Sequence, residues 1–269
     1  MSDNITPELL LEYRKCNMTH PEELSEYIDY KKKIKDMDIF WKRDFQSKSA
    51  WSLKTKLSHT ANEKLYAEMN DLLNKLNKKN FDLICDSITK LNIVCREHMI
   101  ELVTRIIEGA TRNHLFINVY AMACNILMPY YITNGTEKVH FRDVLWTNCQ
   151  ETFELYANKN IDNDIDKKNL IGMIKFIGEL YNVNVLITTV IFICFIRLHT
   201  NVINKNPHSV EAICVLMTIV GKEFYKKDPE KAESCYSKIE KLLKDGNIVS
   251  KEKFMVEDVV ELKIKENWQ

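Results

Sequence analysis

Residues that interrupt helices are scarce in this sequence: of 269 positions, only six are Gly and five are Pro. A turn-rich sandwich or barrel needs such breakers at short intervals, so their scarcity favours helices. The six glycines (Gly109, Gly135, Gly172, Gly178, Gly221 and Gly246) never fall within two residues of one another. That excludes a glycine-rich loop wrapping its amides around a nucleotide phosphate, and with it nucleotide hydrolysis by this chain. A long uninterrupted apolar run is also lacking. The longest apolar stretch, Val183 to Leu198, contains Asn184, Thr188, Thr189 and Arg197; it reads as a buried helix of a large helical core, not as a bilayer span. No basic region followed by an apolar run opens the chain, so no signal peptide is visible.

Spacings that would carry chemistry are missing too. The eight cysteines are scattered and mostly sit inside apolar periodic segments, among them Cys85, Cys95, Cys124, Cys194 and Cys214. That distribution suits small reduced core residues of a cytosolic or nuclear protein, not a disulfide framework. Cys16 and His20 form one Cys/His pair, but no second pair with ligand spacing accompanies them, so zinc is not expected. His98, His114, His140 and His199 lack a neighbouring nucleophile and read as surface or helix-end histidines. Carboxylate pairs such as Glu252 with Glu257 fall on polar helix faces, where general acid-base work has no enclosed site. The expectation is a protein that is not an enzyme and holds no metal or cofactor.

What the chain does have is unevenly placed charge and helical periodicity. Its 38 basic and 38 acidic residues cancel. From Met1 to Asp29, however, seven acidic residues face only Arg14 and Lys15, while from Tyr30 to Thr60 nine Lys and Arg face three Asp. A local basic segment attracts phosphate even when the whole protein is neutral; a solvated linker is the blander reading. After about residue 61 amphipathic helices follow in series. Leu65, Met69, Leu72, Leu73 and Leu76 share one face, and Phe81, Ile84, Cys85, Ile88 and Leu91 repeat it after a break at Asn77 to Asn80. Four further pairs are predicted: 97–108 with 113–128, 141–157 with 165–181, 184–199 with 209–224, and 229–244 with 250–263. Breaks at Pro129, Gly135, Pro207, Pro229 and Gly246 support these boundaries. The predicted fold is all-α, a right-handed solenoid of about five antiparallel hairpins spaced about forty residues apart, as in HEAT repeats. A partly irregular arm, 1–60, precedes this domain, 61–269.

Several segments of the domain resemble a known family. They are LLNKLNKKNFDLI (Leu72 to Ile84), VYAMACNIL (Val119 to Leu127), FRDVLWTNCQETFE (Phe141 to Glu154), GMIKFIGELYNVNVL (Gly172 to Leu186), LMTIVGKEF (Leu216 to Phe224) and KFMVEDVVELKIKENW (Lys253 to Trp268). In this order they resemble the middle, HEAT-type domain of eukaryotic translation initiation factor 4 gamma. The resemblance implies a cytoplasmic scaffold that binds the DEAD-box helicase initiation factor 4A and promotes its RNA-dependent ATP hydrolysis. The other reading is an adaptor built on the same domain in translational control, messenger decay or nuclear RNA processing. In the family, residues around the phenylalanine of "KFIGEL" contribute to helicase binding; here they would be Lys175, Phe176 and Glu179. Read from spacing alone, Phe176 fits a core position, and Lys175 with Glu179 an i,i+4 salt bridge on an outer face.

The arm carries three further candidates. Ala50, Trp51, Ser52 and Leu53 resemble the "AWxP" element that precedes the family's middle domain and packs on the helicase, with Leu53 in place of the proline. Trp51 could equally dock onto its own domain. Ile5, Leu10 and Leu11 reproduce the spacing of the short helix that binds the cap-binding factor 4E, with Ile5 where the family has tyrosine. Lys31, Lys32, Lys33, Lys35, Lys42 and Arg43, with Trp41 among them, could contact phosphates and stack on bases of single-stranded or messenger RNA, without sequence preference.

Overall fold

A computed structural model describes residues 59–134, 137–158, 164–206, 208–245 and 248–268. Ten helices run in order: α1 (His59–Asn74), α2 (Phe81–Thr89), α3 (Arg96–Arg112), α4 (Ile117–Leu127), α5 (Phe141–Asn158), α6 (Asp164–Asn182), α7 (Thr188–Ile203), α8 (Ser209–Lys227), α9 (Pro229–Asp245) and α10 (Ser250–Lys265). Two short strands, β1 (Tyr131–Asn134) and β2 (Glu137–His140), lie between α4 and α5.

Each helix forms where the apolar stripe dictates. In α1, Leu65, Met69 and Leu73 are buried; in α2, Ile84, Cys85 and Ile88. Asparagine side chains substitute for backbone partners in the turn between them. The Asn77 amide donates to the Asn80 side-chain oxygen at 2.8 Å, and the Asn80 side-chain amide donates to the Lys75 carbonyl at 2.8 Å. Helix α9 starts on two sequence signals at once: Pro229 opens it, and the Asp228 carboxylate accepts from the Lys231 amide at 3.1 Å.

The packing pattern defines the architecture. Odd-numbered helices stack on one another (α1 on α3, α3 on α5, α5 on α7, α7 on α9), and even-numbered helices do the same from α2 to α10. Each odd helix also packs on the even helix that follows it. The result is a two-layer ladder of five hairpins, the HEAT-like solenoid predicted from the periodicity. One continuous apolar core runs from Leu65 to Trp268.

Helix α6 is the hub, touching α3, α4, α5, α7 and α8. Two glycines permit this. A Cβ at Gly172 would lie 2.5 Å from the carbonyl oxygen of Thr111 in α3, and one at Gly178 would lie 2.7 Å from a methyl of Ile219 in α8. Side chains add ties between repeats. The Asn182 side-chain amide donates to the Ile219 carbonyl at 3.2 Å, and that of Asn201 to the Ala157 carbonyl at 2.7 Å.

Two features differ from the expectation. The connection after α4 contains an antiparallel pair, with Tyr131 opposite His140 and Ile132 opposite Val139. Ile132 and Val139 turn inward and are buried, which anchors the pair to the helices. Helix α7 begins at Thr188, not at Asn184. Asn184 adopts a left-handed φ of 63°, and the amides of Val185 and Leu186 return to the Leu180 carbonyl at 2.9 and 3.3 Å, which closes α6.

Candidate partner-binding surface

Helix α6 carries the residues singled out in "KFIGEL". Between Leu170 and Tyr181 every residue is buried except Lys175 and Glu179, which stand one turn apart. They are the only points at which solvent reaches the middle of the hub helix. The expected salt bridge between them is absent: among the ion pairs of the described residues, none joins Lys175 to Glu179. Burial raises the Glu179 carboxyl above its ordinary range. A half-buried carboxylate whose charge no neighbour neutralises loses hydration without compensation.

Around Lys175 the surface is cationic. His114, in the turn between α3 and α4, is held below its ordinary pKa by partial burial and by the nearby charges of Lys175 and Lys168. Leu115 in the same turn is 85% exposed. A cationic patch beside an exposed apolar side chain, with one desolvated carboxylate a turn away, suits a polar protein surface better than a small molecule.

Phe176 has a different place from its neighbours. It is 0% exposed, so it presents no surface to a partner in this conformation. Its ring fixes α6 in the core and thereby sets the positions of Lys175 and Glu179. Of the three candidates on this helix, two share a surface and one supports it. The remaining candidates fall outside the described residues: Trp51, Ile5, Leu10, Leu11, Lys31, Lys32, Lys33, Lys35, Trp41, Lys42 and Arg43.

His98 sits in the first turn of α3, a helix end as expected, but not at the surface. It is buried, its Nδ1 accepts from the Val94 amide at 3.5 Å, and its Nε2 pairs with the Asn62 side-chain oxygen at 3.1 Å, joining α1 to α3. Helical spacing alone could not reveal that the loop before α3 folds back over it.

Of the described cysteines, Cys85, Cys124, Cys149, Cys194, Cys214 and Cys235 are buried in the core, whereas Cys95, at the start of α3, is only partly buried. Desolvation pushes the thiol of Cys85 up to about 11, and those of Cys194 and Cys214 up to about 12. None of these supplies a thiolate near neutral pH. Among the described residues no group of three or more His, Cys, Asp or Glu is placed to hold a metal ion, and no helix is long and apolar enough to cross a membrane.

Comparisons with known proteins agree with this architecture. A protein-family model described as the MIF4G domain matches residues 67–266. Eukaryotic translation initiation factor 4 gamma 1 of Mus musculus is 28% identical over 76% of the chain. Factor 4 gamma 3 of Homo sapiens is 24% identical over 84%, and factor 4G of Triticum aestivum 25% over 75%. The alignments cover only 14%, 16% and 15% of those much longer proteins. Among solved structures, the MIF4G domain of Trypanosoma cruzi translation initiation factor EIF4G5 superposes with a TM-score of 0.51, covering 76% of this chain and 97% of that one. At 18% identity this likeness concerns the fold.

Proposed function

This chain belongs to the MIF4G domain family of initiation factor 4 gamma, and from that premise we propose that it is a translation-initiation scaffold that binds and stimulates the DEAD-box helicase initiation factor 4A. The observation that carries the reading is the hub helix. Lys175 and Glu179 project from an otherwise buried segment, at the positions where the family resemblance locates a helicase contact. Burying Lys175 against an acidic partner group, and Glu179 against a basic one, gives each the counter-charge it lacks among the described residues. The rigid two-layer ladder holds the two groups in fixed register, which suits a platform that orients the two lobes of an enzyme.

In this reading the ATP chemistry belongs to the helicase. The arm extends the platform. Trp51 adds a second helicase contact, Ile5, Leu10 and Leu11 recruit the cap-binding factor 4E, and the basic segment with Trp41 holds RNA through its phosphates.

The test is the RNA-dependent ATPase rate of factor 4A with and without this protein. The reading expects the rate to rise, and the rise to be lost with Trp51→Ala or with Lys175→Glu. An unchanged rate, with no complex formed, would overturn it. For the arm, a peptide of residues 1–30 is titrated with factor 4E. Binding that survives changing Leu10 and Leu11 to Ala would exclude the proposed short helix.

A further inference from the structure

At the carboxy-terminal end of the ladder, an open cleft of about 840 Å³ lies between the end of α8, helix α9 and the residues that follow α10. Its floor is aromatic. Tyr225 and Trp268 are both buried, with ring centroids 6.1 Å apart, and Tyr225 meets Tyr236 edge-on at 6.5 Å. The Trp268 indole is seated on the bare backbone of Gly221, where a Cβ would come within 2.3 Å of the ring.

Lys263 shows how this floor treats a cation. Its ammonium lies 3.7 Å from the centroid of Tyr236 and 4.7 Å from that of Tyr225, and it donates to a Glu233 carboxylate oxygen at 2.8 Å. The Tyr225 hydroxyl donates to the same oxygen at 2.6 Å. Two ring faces and a carboxylate held in place by a second donor together favour a positive charge. The rim has acid to spare. Glu230 lies one turn before Glu233, Glu240 lies two turns after it, and neither has an ion-pair partner among the described residues. Glu230 and Glu233 line this cleft and Glu240 lines the smaller one beside it, while Lys263, which lines both, is the one cation among their lining residues.

We propose that this cleft is a docking site for a basic peptide segment of a partner protein, whose arginine or lysine side chains enter between Glu230, Glu233 and Glu240 over the rings of Tyr225 and Tyr236. Lys263 is the internal occupant with which the incoming cation competes. The site is separate from the Lys175 surface and does not depend on the helicase reading.

The test measures binding of fluorescently labelled peptides of eight arginines and of eight glutamates to the full chain by anisotropy, at low and high salt. The octa-arginine peptide is expected to bind and the octaglutamate peptide not to. Glu230→Gln with Glu240→Gln, checked for folding by circular dichroism, is expected to weaken octa-arginine at least fivefold; Glu230 is exposed and Glu240 half-buried, and neither forms an ion pair among the described residues. Lys263→Met, checked for folding by circular dichroism, is expected to tighten it severalfold by removing the competitor. A control pair on the surface of α5, Asp143→Asn with Glu151→Gln, is expected to leave the affinity unchanged. The proposal is overturned if the control pair weakens binding as much as the cleft pair, if Lys263→Met fails to tighten it, if octaglutamate binds in preference, or if the cleft proves to be covered by a second copy of the chain in solution.

Discussion

At the scale of single residues, the hub helix separates buried from solvent-reaching positions within five residues, Lys175 to Glu179. Phe176 is wholly buried, so Phe176→Ala is expected to destabilise the fold by about 3–5 kcal/mol through lost burial and the cavity left behind. Denaturant unfolding would register this, and a loss below about 1 kcal/mol would show that the ring is not packed as described. Glu179 works in the opposite direction. Its folded pKa is raised by burial, so its contribution to stability is greatest below the ordinary carboxylate pKa and is lost as pH rises through the folded value. Glu179→Gln is therefore expected to melt above the parent at pH 7, with the gap closing as the pH falls towards 4.5 and below. A variant less stable than the parent at pH 7 would contradict an uncompensated carboxylate. Glu233 has the reverse sign. The hydrogen bonds of Lys263 and Tyr225 hold its carboxyl below the ordinary range, so its contribution is present above about pH 4.5 and lost as pH falls through the folded value. Melting curves of Glu233→Gln should accordingly lose part of the acid-side decline seen in the parent between pH 4.5 and lower values.

At the scale of elements, close approach decides how well the ladder holds. Gly172→Ala is expected to destabilise by about 1–3 kcal/mol, since its Cβ would meet a backbone carbonyl and overpacking outweighs the gain of about 1 kcal/mol in helix propensity. At Gly178 the obstacle is the side chain of Ile219. The loss in Gly178→Ala is therefore expected to shrink when Ile219→Ala is added, a coupling that a double-mutant cycle reads directly. Legibility in the sequence follows the same division. The five helical pairs were legible because Leu65, Met69, Leu73 and their counterparts recur at helical spacing and because Pro229 marks a start. The onset of α7 was not, since the apolar run from Val183 hides a left-handed Asn184, a conformation that asparagine tolerates and that periodicity does not encode. The strand pair carried a readable signal: Asn134 pairs with Glu137, so the two residues between them in the sequence are Gly135 and Thr136, and a two-residue link that begins with Gly between runs carrying Ile132 and Val139 is a hairpin signature.

At the scale of the whole molecule, the described residues form a ladder whose interior is apolar and whose charged side chains lie outside that core. The pairing of Lys175 with Glu179 inferred from their spacing is not made, because spacing places two side chains on one face without fixing their rotamers. The cleft floored by Trp268 was invisible in the sequence for a related reason. Gly221, Tyr225, Glu233, Lys263 and Trp268 come from three separate segments, and only the stacking of the last hairpin assembles them. The most direct test of the scaffold reading is the equilibrium dissociation constant of the full chain for factor 4A, measured beside that of Lys175→Ala with Glu179→Ala. Both side chains are only half-buried, so the double variant should stay folded, and with the Glu179 charge removed it should melt no lower than the parent at pH 7. The account predicts that the parent binds and that the double variant binds at least tenfold more weakly, about 1.4 kcal/mol. Equal affinity in the two proteins, or no affinity in either, would contradict it.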